Sequence, residues 1–72
     1  MHTSAHPSTL TSVNNLAGLL VQLGRFDEAE VLYREALAGR TLALGAAHAH
    51  TRATAANLEC LLRMKAAAAH HA

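Results

Sequence analysis

Aromatic residues are almost missing from this chain: tryptophan is absent, and Phe26 and Tyr33 stand alone in a hydrophobic half dominated by alanine and leucine. Such a composition favours helices over sheets and predicts almost no strand. An excess of one charge is missing too. Six Lys/Arg against five Asp/Glu leave a formal charge of +1, which builds neither a basic field for nucleic acid nor an acidic tail. No nucleic-acid partner is expected. Long apolar runs are also lacking, because Gln22, Arg25 and Asp27 interrupt the most hydrophobic stretch well short of the roughly 20 residues that cross a bilayer. A soluble chain with no membrane partner is expected. Cys60 is the one cysteine and cannot close an internal disulfide, and residues 1 to 7 have no cationic segment or apolar core of a secretory leader. Both absences point to a reducing compartment, most simply the cytoplasm, although a missing leader also fits a fragment of a longer chain.

With 72 residues, the chain can hold at most one small domain of marginal stability, since a compact chain of this size buries roughly 60% of its unfolded surface. What it does contain is an internal echo. His6, Thr9, Asn15, Leu16, Leu19 and Leu20 recur 42 residues later as His48, Thr51, Asn57, Leu58, Leu61 and Leu62. Ser12 and Val13 align with Thr54 and Ala55 in the same register. A fixed period marks supersecondary blocks that cannot hide their apolar faces alone and gain stability by stacking.

Helical periodicity runs through both copies. Pro7 suits the first turn of a helix that continues to about residue 23, with Val13, Leu16, Ala17 and Leu20 as its inner stripe, extended by Leu10 and Leu23. Gly24 stands where a left-handed residue stops a helix. The second helix spans about 26–44, with Ala29, Tyr33, Ala36 and Leu37 facing inward and Phe26 anchoring its start. Small Ala29 and Ala36 around bulky Tyr33 predict a close approach of two helices with the ring filling the remaining space. Acidic Asp27, Glu28 and Glu30 lie at the positive end of that helix, Arg34 and Arg40 lie later, and Glu30–Arg34 forms a favourable i, i+4 pair. After Gly45 a third helix spans about 50–65, with a poorer stripe of Ala55, Leu58, Glu59 and Leu62 supported by Leu61, and a Glu59–Arg63 pair. Residues 1–7 are expected to be flexible and the Ala/His tail, 66–72, to fray. The expected fold is all-α, an antiparallel helix hairpin plus a third helix, with the repeat unit at 8–65.

Two segments then carry a family resemblance: His6-Pro7-Ser8-Thr9-Leu10-Thr11-Ser12-Val13-Asn14-Asn15-Leu16-Ala17-Gly18-Leu19-Leu20 and Gly24-Arg25-Phe26-Asp27-Glu28-Ala29-Glu30-Val31-Leu32-Tyr33-Arg34-Glu35-Ala36-Leu37. They resemble a tetratricopeptide repeat of the 42-residue variety found in kinesin light chains. The match covers residues 6 to about 65 and degrades after residue 45, where Ala66-Ala67-Ala68-Ala69 replaces the expected turn. One full repeat and half of another are present. The resemblance implies a right-handed α-solenoid segment acting as a non-enzymatic protein-interaction scaffold, whose concave wall holds a peptide or protein partner. On the matching positions that wall is Thr11, Asn15, Gly18 and Gln22, then Ala53, Asn57, Cys60 and Met64. Helical spacing independently places 11, 15, 18 and 22 on one stripe, offset from the apolar one.

Asn15 and Asn57 are the sharpest candidates within the wall, because a carboxamide offers both donor and acceptor to an extended ligand's backbone. Gly18 weakens its helix relative to alanine, which fits either a packing or access reason or a tolerated weak residue. The alternative reading is structural: a terminal repeat that caps a longer solenoid or pairs with its own copy through an exposed apolar edge that includes Val31, Leu32 and Leu61. Six histidines, notably His48, His50, His70 and His71, invite a metal hypothesis, but structural zinc wants four converging ligands and only Cys60 could supply thiolate. Neither a metal nor a cofactor is expected. Cys60 lacks an Asn or Asp to orient a histidine base, and acids in a helix's first turn are ordinary dipole partners. No enzyme is expected.

Overall fold

Glycine corners divide the chain into three helices, α1 (Pro7–Gln22), α2 (Phe26–Leu44) and α3 (Ala49–His71). The computed structural model describes residues 7–71, with side-chain surroundings for residues 9–69. No strand occurs among the described residues, so the chain is all-α as expected. The flexible segment expected at 1–7 lies outside the described residues except for Pro7, which is the first residue of α1. Helix three differs most from expectation. It runs on through the alanine tail to His71 instead of stopping near 65, because alanine carries the lowest intrinsic helix cost and nothing in the run breaks the backbone ladder.

The corner between α1 and α2 is closed by Gly24 at φ 78. Its N–H reaches the Val21 carbonyl at 3.0 Å and the next N–H, from Arg25, reaches back to Leu20 at 2.9 Å. This pair of bonds satisfies the last carbonyls of α1 and requires the left-handed backbone that glycine adopts freely. At the second corner Gly45 (φ 91) ends α2, and His48 then caps α3 by accepting the His50 N–H on Nδ1 at 3.0 Å. Those two imidazoles also stack, with ring centroids 5.1 Å apart.

Packing occurs in a single layer, since the molecule measures 39 × 24 × 15 Å and one helix with side chains is about 10–12 Å thick. Helices α1 and α3 each pack on α2 and touch one another far less. Ala17, Ala29, Tyr33, Leu58 and Leu61 form the buried cluster, and Leu20, Val21, Phe26, Leu32 and Leu37 pack against it. Tyr33 is 6% exposed between alanines at 29 and 36 that are fully buried, so the ring fills the space that the small neighbours leave.

The inner stripe of α1 is the expected Leu10, Val13, Ala17 and Leu20 without Leu16 and Leu23, whereas that of α3 is rotated from the expected one. In α1, Leu10 and Ala17 are buried, whereas Leu16 and Leu23 are 49% and 61% exposed. In α3 the buried residues are Thr51, Thr54, Leu58 and Leu61, while Ala55 and Glu59 face solvent and Leu62 is about one-third exposed. The cause is visible in the 42-residue register. Thr51, Thr54, Leu58 and Leu61 are the counterparts of Thr9, Ser12, Leu16 and Leu19, all exposed in α1, and Leu10 and Ala17 are the counterparts of exposed Arg52 and Glu59. The same helix text therefore docks on α2 by opposite faces, because α1 precedes α2 in the stack and α3 follows it. Periodicity finds an apolar face but not which side has a neighbour. Leu61, expected on an exposed edge with Val31 and Leu32, is buried for this reason, while Val31 remains 65% exposed and Leu32 is half-buried.

Candidate functional site

Two rows of side chains, one on α1 and one on α3, make up the expected wall. Thr11, Asn15 and Gln22 are exposed on α1 and Gly18 is half-buried; Ala53, Asn57, Cys60 and Met64 are exposed on α3. Between the rows lies Tyr33 of α2. A Cβ added to Gly18 would stand 3.6 Å from the Tyr33 hydroxyl, and Cys60 is near enough that its charge reinforces the main effect on that phenol. Burial raises the Tyr33 pKa above the usual tyrosine value, and the Cys60 thiolate raises it further. Gly18 and the Tyr33 hydroxyl thus meet on the α1 side of the two rows.

At one end the rows are joined by a polar network that sequence spacing did not reveal. Arg40, only 7% exposed, donates from Nη1 to Thr54 Oγ1 at 2.8 Å and to the His50 carbonyl at 3.3 Å. From Nη2 it donates to Thr11 Oγ1 at 3.3 Å. Thr54 in turn donates to Asn14 Oδ1 at 3.3 Å, so one guanidinium links all three helices. The signal was present in the stripe Ala29, Tyr33, Ala36, Arg40, which continues inward at helical spacing. Reading Arg40 as a partner for the helix dipole passed over that position. Thr11 is drawn into this network, which ties its hydroxyl to the structure while its residue remains on the surface.

At the other end Lys65 of α3 clasps the start of α2, with Nζ 2.8 Å from Asp27 and 2.6 Å from Glu30. Glu30 also holds Arg34 at 2.8 Å, the expected i, i+4 pair, whereas Glu59–Arg63 is longer at 3.7 Å and exposed. Hydrogen bonds from Lys65 and then Arg34 depress the Glu30 pKa, and those to Asp27 and then Glu30 raise that of Lys65. A depressed acid contributes stability that is present above its unfolded value and lost as pH falls through the folded one. A raised base contributes below its unfolded value and loses that contribution as pH rises through the folded one. Denaturation midpoints should therefore fall below about pH 4.3 and again above about 10.4. Lys65→Met should flatten both limbs, and chemical denaturation followed by circular dichroism across pH checks it.

The described residues include no group of three or more His, Cys, Asp or Glu able to hold a metal ion, and no described helix is long and apolar enough to cross a membrane. Two shallow apolar grooves flank the layer. One, between α1 and α2, is lined by Leu16, Leu20, Glu28, Val31 and Leu32; the other runs along the outer side of α3 over Arg52, Ala55, Ala56, Leu58, Glu59 and Leu62. Comparison with known families matches residues 9–50 to the family model described as Tetratricopeptide repeat. No curated protein and no solved structure matches the chain.

Proposed function

Because the chain belongs to the tetratricopeptide repeat family through residues 9–50, we propose that it is a protein-interaction module with no chemistry of its own, which holds an extended peptide across α1 and α3. The observation that carries this reading is the pair of exposed carboxamides, Asn15 and Asn57, at equivalent places on helices that share one partner. Each offers donor and acceptor to a ligand backbone. Gln22, Cys60 and Met64 extend the rows, and Gly18 leaves room beside the Tyr33 hydroxyl. The 42-residue spacing supports membership of the kinesin-light-chain-like variety, and the balanced charge supports a protein partner over nucleic acid.

Binding to a library of extended peptides, read by fluorescence anisotropy, tests the assignment. Asn15→Ala with Asn57→Ala should weaken binding about 5- to 150-fold, since each lost hydrogen bond is worth about 0.5–1.5 kcal/mol. Unchanged affinity would count against the wall. Gly18→Ala should separate access from folding: its Cβ would make an ordinary contact at 3.6 Å and should stabilise α1 by up to about 1 kcal/mol, while narrowing the approach to Tyr33.

A second reading is favoured by the two open grooves. Leu16, Leu20, Val31 and Leu32 on one side and α3's outer face on the other support a structural role, in which the unit caps a stack or pairs with its own copy.

A further inference from the structure

We infer that two copies of this chain pair through the outer groove of α3, antiparallel, about a two-fold axis between Ala55 and Ala56. The inference rests on the second reading above, that the unit pairs with its copy, and specifies the face, the direction and the register.

The groove is the counterpart of the α1 face that seats α2. In α1 that seat contains Leu10 and Ala17, both fully buried. Forty-two residues later their places are taken by Arg52 and Glu59, so the seat in α3 keeps its shape but carries opposite charges seven residues apart. A helix seated as α2 sits on α1 would desolvate both charges without partners, which disfavours an apolar occupant. A second α3 running the other way supplies both partners at once. Arg52 then meets Glu59 of the copy, and Glu59 meets Arg52, while Ala55 lies over Ala56 and lets the backbones approach to the short end of the 8–10 Å range of packed helices. In a parallel pair each charge would meet its own kind, so electrostatics selects the direction as well as the register. Arg52 has no acidic partner among the described residues, and the Glu59 contact to Arg63 is long and solvent-exposed. Both side chains are therefore free to engage the copy. Leu62 and the rim of Leu58 add the apolar contact that solvent-exposed ion pairs do not supply.

Sedimentation equilibrium of the 72-residue chain from micromolar to millimolar concentration provides the test. A reversible dimer is expected. Arg52→Glu alone and Glu59→Arg alone should each weaken it at least about tenfold. Arg52→Glu combined with Glu59→Arg should restore it, and mixing the two single variants should give a heterodimer. Circular dichroism on the same samples confirms that helix content is retained at these exposed positions. A monomer at every concentration overturns the pairing and the self-association half of the second reading. A dimer indifferent to the charge changes but broken by Val31→Lys keeps that reading and overturns this one, because the α1–α2 groove would then be the interface.

Discussion

Tyr33→Ala is expected to cost about 3–5 kcal/mol, the range for removing a buried aromatic ring. A chain of this length holds only roughly 4–11 kcal/mol in total. The substitution should therefore leave the protein largely unfolded near body temperature, with a lowered and broadened thermal transition by circular dichroism. Two features make the loss large. The ring is wedged between Ala29 and Ala36, which are already as small as side chains get and cannot collapse into the cavity. It is also in the cluster with Ala17 of α1 and with Leu58 and Leu61 of α3, so both docking faces lose contacts together. Tyr33→Phe separates ring from hydroxyl. The hydroxyl makes no hydrogen bond among the described residues, so this change should cost less than about 1 kcal/mol. A melting curve for Tyr33→Ala that overlays the unaltered chain would show that the helices are not held by this wedge.

Thr54→Val should cost about 1.5–3 kcal/mol, whereas Thr51→Val, the same chemical change three residues away, should leave stability unchanged or raise it by up to about 1 kcal/mol. Both threonines are buried on α3. The Thr54 hydroxyl is the shortest acceptor of a buried guanidinium whose side-chain partners are neutral, Thr54 and Thr11, and it also bonds Asn14. Removing it leaves a buried charge less well solvated, which is expensive in a low-dielectric setting. The Thr51 hydroxyl has no partner among the described residues, so a methyl in its place removes a desolvation penalty. Urea denaturation should lower the midpoint for Thr54→Val and leave that for Thr51→Val unchanged or raised. Arg40→Met should soften the Thr54→Val penalty, because the group that needed the hydroxyl is gone; additive losses would show that the network is not coupled.

The helix starts and the two corners were legible, though not the end of α3, because they are written in local chemistry: proline at a first turn, glycine at two left-handed corners, and a stripe that the backbone repeats every few residues. The wedge was legible for a similar reason, since Ala29, Tyr33 and Ala36 alternate small and large at one helical face. Which face of α3 is buried, and how far the α1 stripe extends, was not. Leu16 and Leu58 are the same residue in the repeat, yet one is half-exposed and the other buried, because burial depends on a neighbour lying before or after each helix, and no local window records that. The Arg40 network escaped for a related reason. Its hydroxyl partners lie 14 and 29 positions away, and an arginine at an inward position reads as surface charge until the acceptors around it are known. The placement of Asn15 and Asn57 on the exposed side follows from spacing; what they hold does not.

The central position of α2 has a consequence for how the molecule comes apart. Its two neighbours lean on it from opposite flanks and barely on each other, so either outer helix can detach while the remaining pair keeps its mutual contacts, whereas loosening α2 releases everything. Cooperativity in this chain is thus routed through one rod, and the outer helices are free to differ in their opening rates. An occupant lying across both would couple their motions and become a second keystone beside the first.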